Sequence, residues 1–84
     1  MKPRYVKTMP DEIKEGILYI SNHYGTAVHK CPCGCKELIV TPTKKGGWMT
    51  VQNKDKVSLY PSVYNSTLPC KSHYWIRDNE IVWA

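Results

Sequence analysis

The stretch HKCPCGCKE, residues 29–37, puts three cysteines into five positions: Cys31, Cys33 and Cys35. Farther along, LPCKSHYW (residues 68–75) supplies the fourth, Cys70, with His73 three residues behind it. What these side chains hold together matters for the whole fold, because 84 residues are too few to build a large interior. A chain of this length buries only roughly 60–65% of its unfolded surface and forms one domain, residues 1–84. Scaffolds this small commonly rely on disulfides, a structural metal or a partner subunit.

Composition removes several classes. An apolar fraction of 42% with 23% charged residues is that of a folded domain, not a disordered tail. No apolar run approaches the roughly 20 residues of a membrane-spanning helix. The opening MKPRYVKTMPDEIKEG (1–16) has basic residues but no apolar core behind them, so a secretory leader is not expected. The expected location is therefore the reducing cytoplasm, where structural disulfides are rare. Two disulfides would also force one strained bridge inside the alternating Cys31, Cys33, Cys35 cluster. Metal ligation is the better account. The formal charge of +5 permits an acidic protein or nucleic acid as partner and proves neither.

Outward from the knuckle, the chain reads as short strands separated by turn residues. GILYIS (16–21) is a dense β-type run with the look of a strand covered on both faces. TAVHK (26–30) leads into the cysteines, and KELIVTP (36–42) leaves them until Pro42 stops it. Gly46 and Gly47 turn the chain into WMTVQ (48–52), and NKDK (53–56) turns it into VSLYPSVY (57–64). HYWIRDNEIVWA (73–84) reads as a hairpin about Arg77, Asp78 and Asn79. Lys2, Arg4 and Lys7 flank a short edge strand, and Pro10, Asp11 and Glu12 suit one helical turn ended by Gly16. The expected class is all-β: a small single-domain sheet or barrel, zinc-ribbon-like or Rieske-like, carrying a metal-bound knuckle.

Zinc takes four ligands in a tetrahedron from thiolates and neutral imidazoles, usually as two short pairs. Cys70-x-x-His73 is one pair; the other comes from Cys31, Cys33 and Cys35, with Cys31 and Cys33 preferred and Cys33 and Cys35 next. Five candidates thus compete for four places, and Cys3His is the expected set. His29, two residues before Cys31, is in reach of the site as a ligand or neighbour of one, but a histidine so placed is expected to be a satisfied strand residue. Zn2+ is the expected cofactor. The order C-x-C then C-x-x-H also resembles the C-x-H then C-x-x-H of Rieske proteins, which makes a 2Fe-2S electron carrier the alternative.

TAVHKCPCGC (26–35), VSLYPSV (57–63) and LPCKSHYWIRDNEIVWA (68–84) together resemble the bacterial and phage family known as domain of unknown function 6527, over about Glu15 to Ala84. Its outline runs TAxHxCPCGCG, GW, VSLxPSIGNW, PCxSHYWI and VxWA. The resemblance implies a Cys/His metal site at Cys31, Cys33, Cys35, Cys70 and His73, and association with ubiquitin-like conjugation or phage defence. The chain departs from the outline at SVYNST (62–67) and at Lys36.

A catalytic zinc needs an open position and a nearby base, and Glu37 is the only acid beside the cysteines. The residues therefore argue against a zinc hydrolase, although the sequence leaves enzymatic activity undecided. The expected role is an accessory or interaction module, with an unidentified protein as partner and single-stranded nucleic acid as the alternative, since lysines alternate with Tyr60, Tyr64, Tyr74 and Trp75.

Overall fold

A computed structural model describes residues 1–84 as eight strands and no helix. The strands are β1 (Lys2–Tyr5), β2 (Ile17–Ser21), β3 (Thr26–Lys30), β4 (Leu38–Pro42), β5 (Met49–Asn53), β6 (Lys56–Tyr64), β7 (His73–Arg77) and β8 (Glu80–Trp83). They form two four-stranded sheets, ordered β1-β2-β3-β4 and β5-β6-β7-β8. All neighbours are antiparallel except β1 and β2, which run parallel with Lys2 opposite Ile17. The all-β expectation holds.

One element differs. The helical turn expected near Pro10–Glu12 is absent, and the segment instead crosses over between parallel strands. Its donors are taken by tertiary partners: the Lys14 N–H donates to Tyr19 Oη at 3.1 Å rather than to a helical carbonyl. Gly16, with φ 79°, then turns the chain into β2.

The inner faces of the two sheets meet in two apolar clusters. Leu18, Ile20 and Ala27 of the first sheet meet Val57 of the second. Ile39 and Cys31 meet Leu59, Val63, Tyr74 and Ile76. Leu18, Tyr19 and Ile20 are each at most 1% exposed, so β2 is covered on both faces, as its unbroken apolar run requires. Only 18 of the 84 residues are buried, a small interior of the kind that commonly goes with a disulfide, a metal or a partner subunit.

The turns fix the register. Asp78 and Asn79 both have positive φ, 47° and 70°, the pairing a two-residue hairpin with the sheet's twist demands. Asn79 then clips this hairpin to β6, since its Oδ1 accepts the Val57 N–H at 2.7 Å and its own N–H donates to the Val57 carbonyl at 2.8 Å. Where the chain passes from β4 to β5, a Cβ at position 47 would lie 2.2 Å from the Pro42 carbonyl oxygen, so only Gly47 fits.

Candidate functional sites: a thiol cluster and a serine–histidine pair

The knuckle forms because Cys31 ends β3 inside the core, 2% exposed, while Pro32 to Cys35 turn back over it. Gly34 takes φ 93° and Lys36 takes 64°, and Lys71 after the fourth cysteine takes 47°. Such left-handed residues aim backbone N–H groups at sulfur. The N–H of Cys35 points to Cys33, that of Glu37 to Cys35 and that of Ser72 to Cys70. Residue i+2 thus serves the sulfur of residue i in both loops.

Folding gathers all four sulfurs within 4.8 Å of one another. Cys31 lies 3.4 Å from Cys33 and 3.9 Å from Cys70, and Cys35 lies 3.9 Å from Cys70. A tetrahedral ion with metal–sulfur bonds of about 2.3 Å separates its sulfurs by about 3.8 Å, so the donor set and its spacing fit one metal ion. Electrostatics point the same way. The Cys70 thiol is drawn down to about 6 by the Ser72 hydroxyl and N–H. The Cys35 N–H pulls the Cys33 thiol down, but its thiol neighbours outweigh that and push it up to about 12. Four sulfurs this close cannot all carry charge without a cation among them.

His73 is not in this group. It opens β7, opposite Tyr64 of β6, and its Nε2 lies 2.9 Å from Ser62 Oγ. The expected Cys70-x-x-His73 pair is therefore divided: Cys70 faces the three other thiols, and His73 faces a serine. The β6–β7 register shifts between Leu59 and Val63, so that His73 stands opposite Tyr64 and diagonal to Ser62. Ser62 shares the outer face with Tyr60 and Tyr64 by the alternation of the strand, diagonally beside the imidazole. The Tyr64 ring lies against the His73 ring, centroids 5.0 Å apart and tilted by 39°. The Trp48 indole N–H donates to the Ser62 carbonyl at 3.4 Å, which fixes the backbone that carries the hydroxyl.

Chemically, an imidazole nitrogen within hydrogen-bond reach of a hydroxyl is the arrangement that turns serine into a nucleophile. Sequence reasoning gave Ser62 no part beyond its place in the strand VSLYPSVY (57–64). Its partner is 11 residues away on the next strand, and the antiparallel pairing of β6 with β7 sets them side by side.

The two sites adjoin. Next to the Tyr64–His73 pair, the Asn65 N–H donates to the Ser72 carbonyl at 2.9 Å, and Asn65 Nδ2 donates to Ser72 Oγ, also at 2.9 Å. Ser72 Oγ in turn lies 3.1 Å from Cys31 Sγ and 3.5 Å from Cys70 Sγ. Displacing the thiol loop would therefore pull directly on the start of β7.

His29 lies apart from the sulfurs' ligand set, fully buried, with Nε2 2.5 Å from the Tyr74 hydroxyl and no partner for Nδ1. Burial lowers its pKa to about 4, and burial likewise raises that of Tyr74. The unfolded imidazole takes up a proton near pH 6.5, whereas the folded one resists until about pH 4. Stability is therefore full above pH 6.5 and falls as pH drops through that window, by up to about 3 kcal/mol from this group. Ring resonances of His29 should stay those of a neutral imidazole from about pH 7.5 to 5.5. A midpoint near 6.5 would contradict this.

Fold and site together define a small two-sheet β domain with a four-cysteine knuckle and a Ser–His pair on its outer face. The chain belongs to the family described as bacterial ubiquitination-like system serine protease, BubE, which matches residues 5–84. No curated protein and no solved structure matches it.

Proposed function

We propose that this chain is a serine peptidase of a bacterial ubiquitination-like system, with Ser62 as nucleophile and His73 as general base. The observation that carries the reading is the 2.9 Å approach of His73 Nε2 to Ser62 Oγ on an open sheet face. The family to which the chain belongs supports it, since it is described by that activity. Ser62 Oγ attacks the carbonyl carbon of the scissile bond while its proton passes to Nε2. The imidazolium then gives that proton to the departing amine, leaving an acyl ester on Ser62. Water, deprotonated by the same nitrogen, releases the acyl group and restores the hydroxyl.

In the same reading Cys31, Cys33, Cys35 and Cys70 hold one structural zinc ion, and His73 is released for catalysis. A bound zinc would neutralise the thiolates and cross-link the loop after β3 to the loop before β7. Sulfurs all within 4.8 Å suit a single central ion better than a 2Fe-2S cluster, whose ligands are divided between two irons. The chain would then act in a compartment that keeps thiols reduced. Its partner would be a protein of the conjugation system rather than nucleic acid.

A fluorophosphonate probe tests the serine directly. The expected result is one adduct per chain, on Ser62, lost in His73→Ala. An unreactive Ser62 in folded, metal-loaded protein would overturn the catalytic reading and leave the metal reading standing.

A further inference from the structure

The outer face of the second sheet carries an apolar belt that nothing in the catalytic chemistry uses. Met49 of β5 stands opposite Tyr60 of β6, and Trp75 of β7 stands opposite Val82 of β8. Leu59 stands opposite Ile76, one residue before Tyr60 and one after Trp75, so the two pairs adjoin on the outer face and together reach all four strands. Met49 is 61% exposed, Tyr60 38% and Val82 39%, and Trp75 is half-buried. The Arg77 guanidinium lies 4.8 Å above the Trp75 ring. Methionine, tyrosine, tryptophan and arginine are the residues enriched where proteins bind proteins.

The belt does not stand alone. Ser62, within the bulge, and His73 lie on the same face, next along β6 from Tyr60 and along β7 from Trp75. A polypeptide that brings a carbonyl to Ser62 Oγ thus has this row within one residue step along both strands for the adjoining part of its surface. The rim adds a sign. Lys56 and Arg77 project from this face with the single carboxylate Glu80 among its strand residues, which favours an acidic border on whatever covers it. The outer face of the first sheet offers no such row: its exposed apolar residues, Leu38 and Val40, sit together on the edge strand β4.

We infer that the Met49–Tyr60–Trp75–Val82 belt is a docking surface for the folded body of the protein substrate, an apolar patch edged by carboxylates on the ubiquitin-like modifier of the conjugation system. The inference rests on the peptidase reading above and adds where recognition occurs. Specificity then comes from the modifier's folded surface as well as from the peptide at the serine.

The test uses the full chain with Ser62→Ala, loaded with zinc, and that modifier as the probe. Titration calorimetry measures affinity, and amide chemical shifts map the contact without any further substitution. Met49→Glu and Val82→Glu, exposed on opposite edge strands, should each weaken binding at least tenfold. Val40→Glu, on the other sheet, should leave it unchanged. In Ser62-containing protein, Met49→Glu should raise KM at least tenfold with kcat and the rate of fluorophosphonate labelling unaltered. Shifts confined to the first sheet, affinity indifferent to both glutamates, no binding at all, or pairing of the belt with a second copy of this chain would each overturn the inference. Failure of the catalytic reading is seen separately, as an unlabelled Ser62 in protein that still binds through the belt.

Discussion

Ser62→Ala abolishes turnover while the protein still folds and still holds its metal: that is the expected result of removing the nucleophile. In enzymes that work through a serine and a histidine, deleting either residue costs roughly 10^4- to 10^6-fold in kcat, because the two act as one unit. The same loss is expected for Ser62→Ala, for His73→Ala and for the double variant, with no further fall on combining them. Stability should hardly change. The hydroxyl makes one hydrogen bond, to His73, at a half-buried position, and such a bond contributes about 1 kcal/mol. Melting temperature therefore serves as the control. Activity in Ser62→Ala within tenfold of the parent would remove serine catalysis from the account.

Cys70→Ala should have the opposite signature, with the fold lost first. Cys70 is the one thiol that joins the loop before β7 to the knuckle after β3, across 35 to 39 positions of chain. Structural zinc sites in small domains contribute about 10–16 kcal/mol in apparent terms, whereas a whole domain is stable by about 5–15 kcal/mol. With few residues buried, little remains to hold the sheets in place once the ion is released. The expected outcome is a protein without a cooperative melt, or with one lowered by more than about 20 °C, and the same result on chelating the metal from the parent. A Cys70→Ala protein that melts as high as the parent would show that the cluster has no structural part.

Much of the fold was legible because the strands are short, bounded by turn residues and patterned for one covered face or two. The all-apolar run at Ile17–Ile20 and the alternation in β6 required little more than period and turn chemistry. The crossover at residues 6–16 was not legible, because its polar groups are satisfied by Tyr19 and by other strands, which local propensity cannot reveal.

The site divided in the same way. Three cysteines alternating around Gly34 announce a knuckle wherever they occur, and Cys70 was the natural fourth. What the spacing could not say is that His73, three residues on, leaves the turn as the first residue of β7. In a strand its side chain points to the outer face, away from the loop that carries Cys70. Nothing local pairs it with Ser62, since the pairing of β6 with β7 is a property of two strands and not of either alone.

The division of labour between Cys70 and His73 is the claim on which both sites depend. X-ray absorption at the zinc edge of the purified protein reads it directly, through the atoms bound to the metal. Four sulfurs at about 2.3 Å and no nitrogen are expected. Three sulfurs and one imidazole nitrogen would contradict it, because a histidine bound to the metal cannot also receive the proton of Ser62.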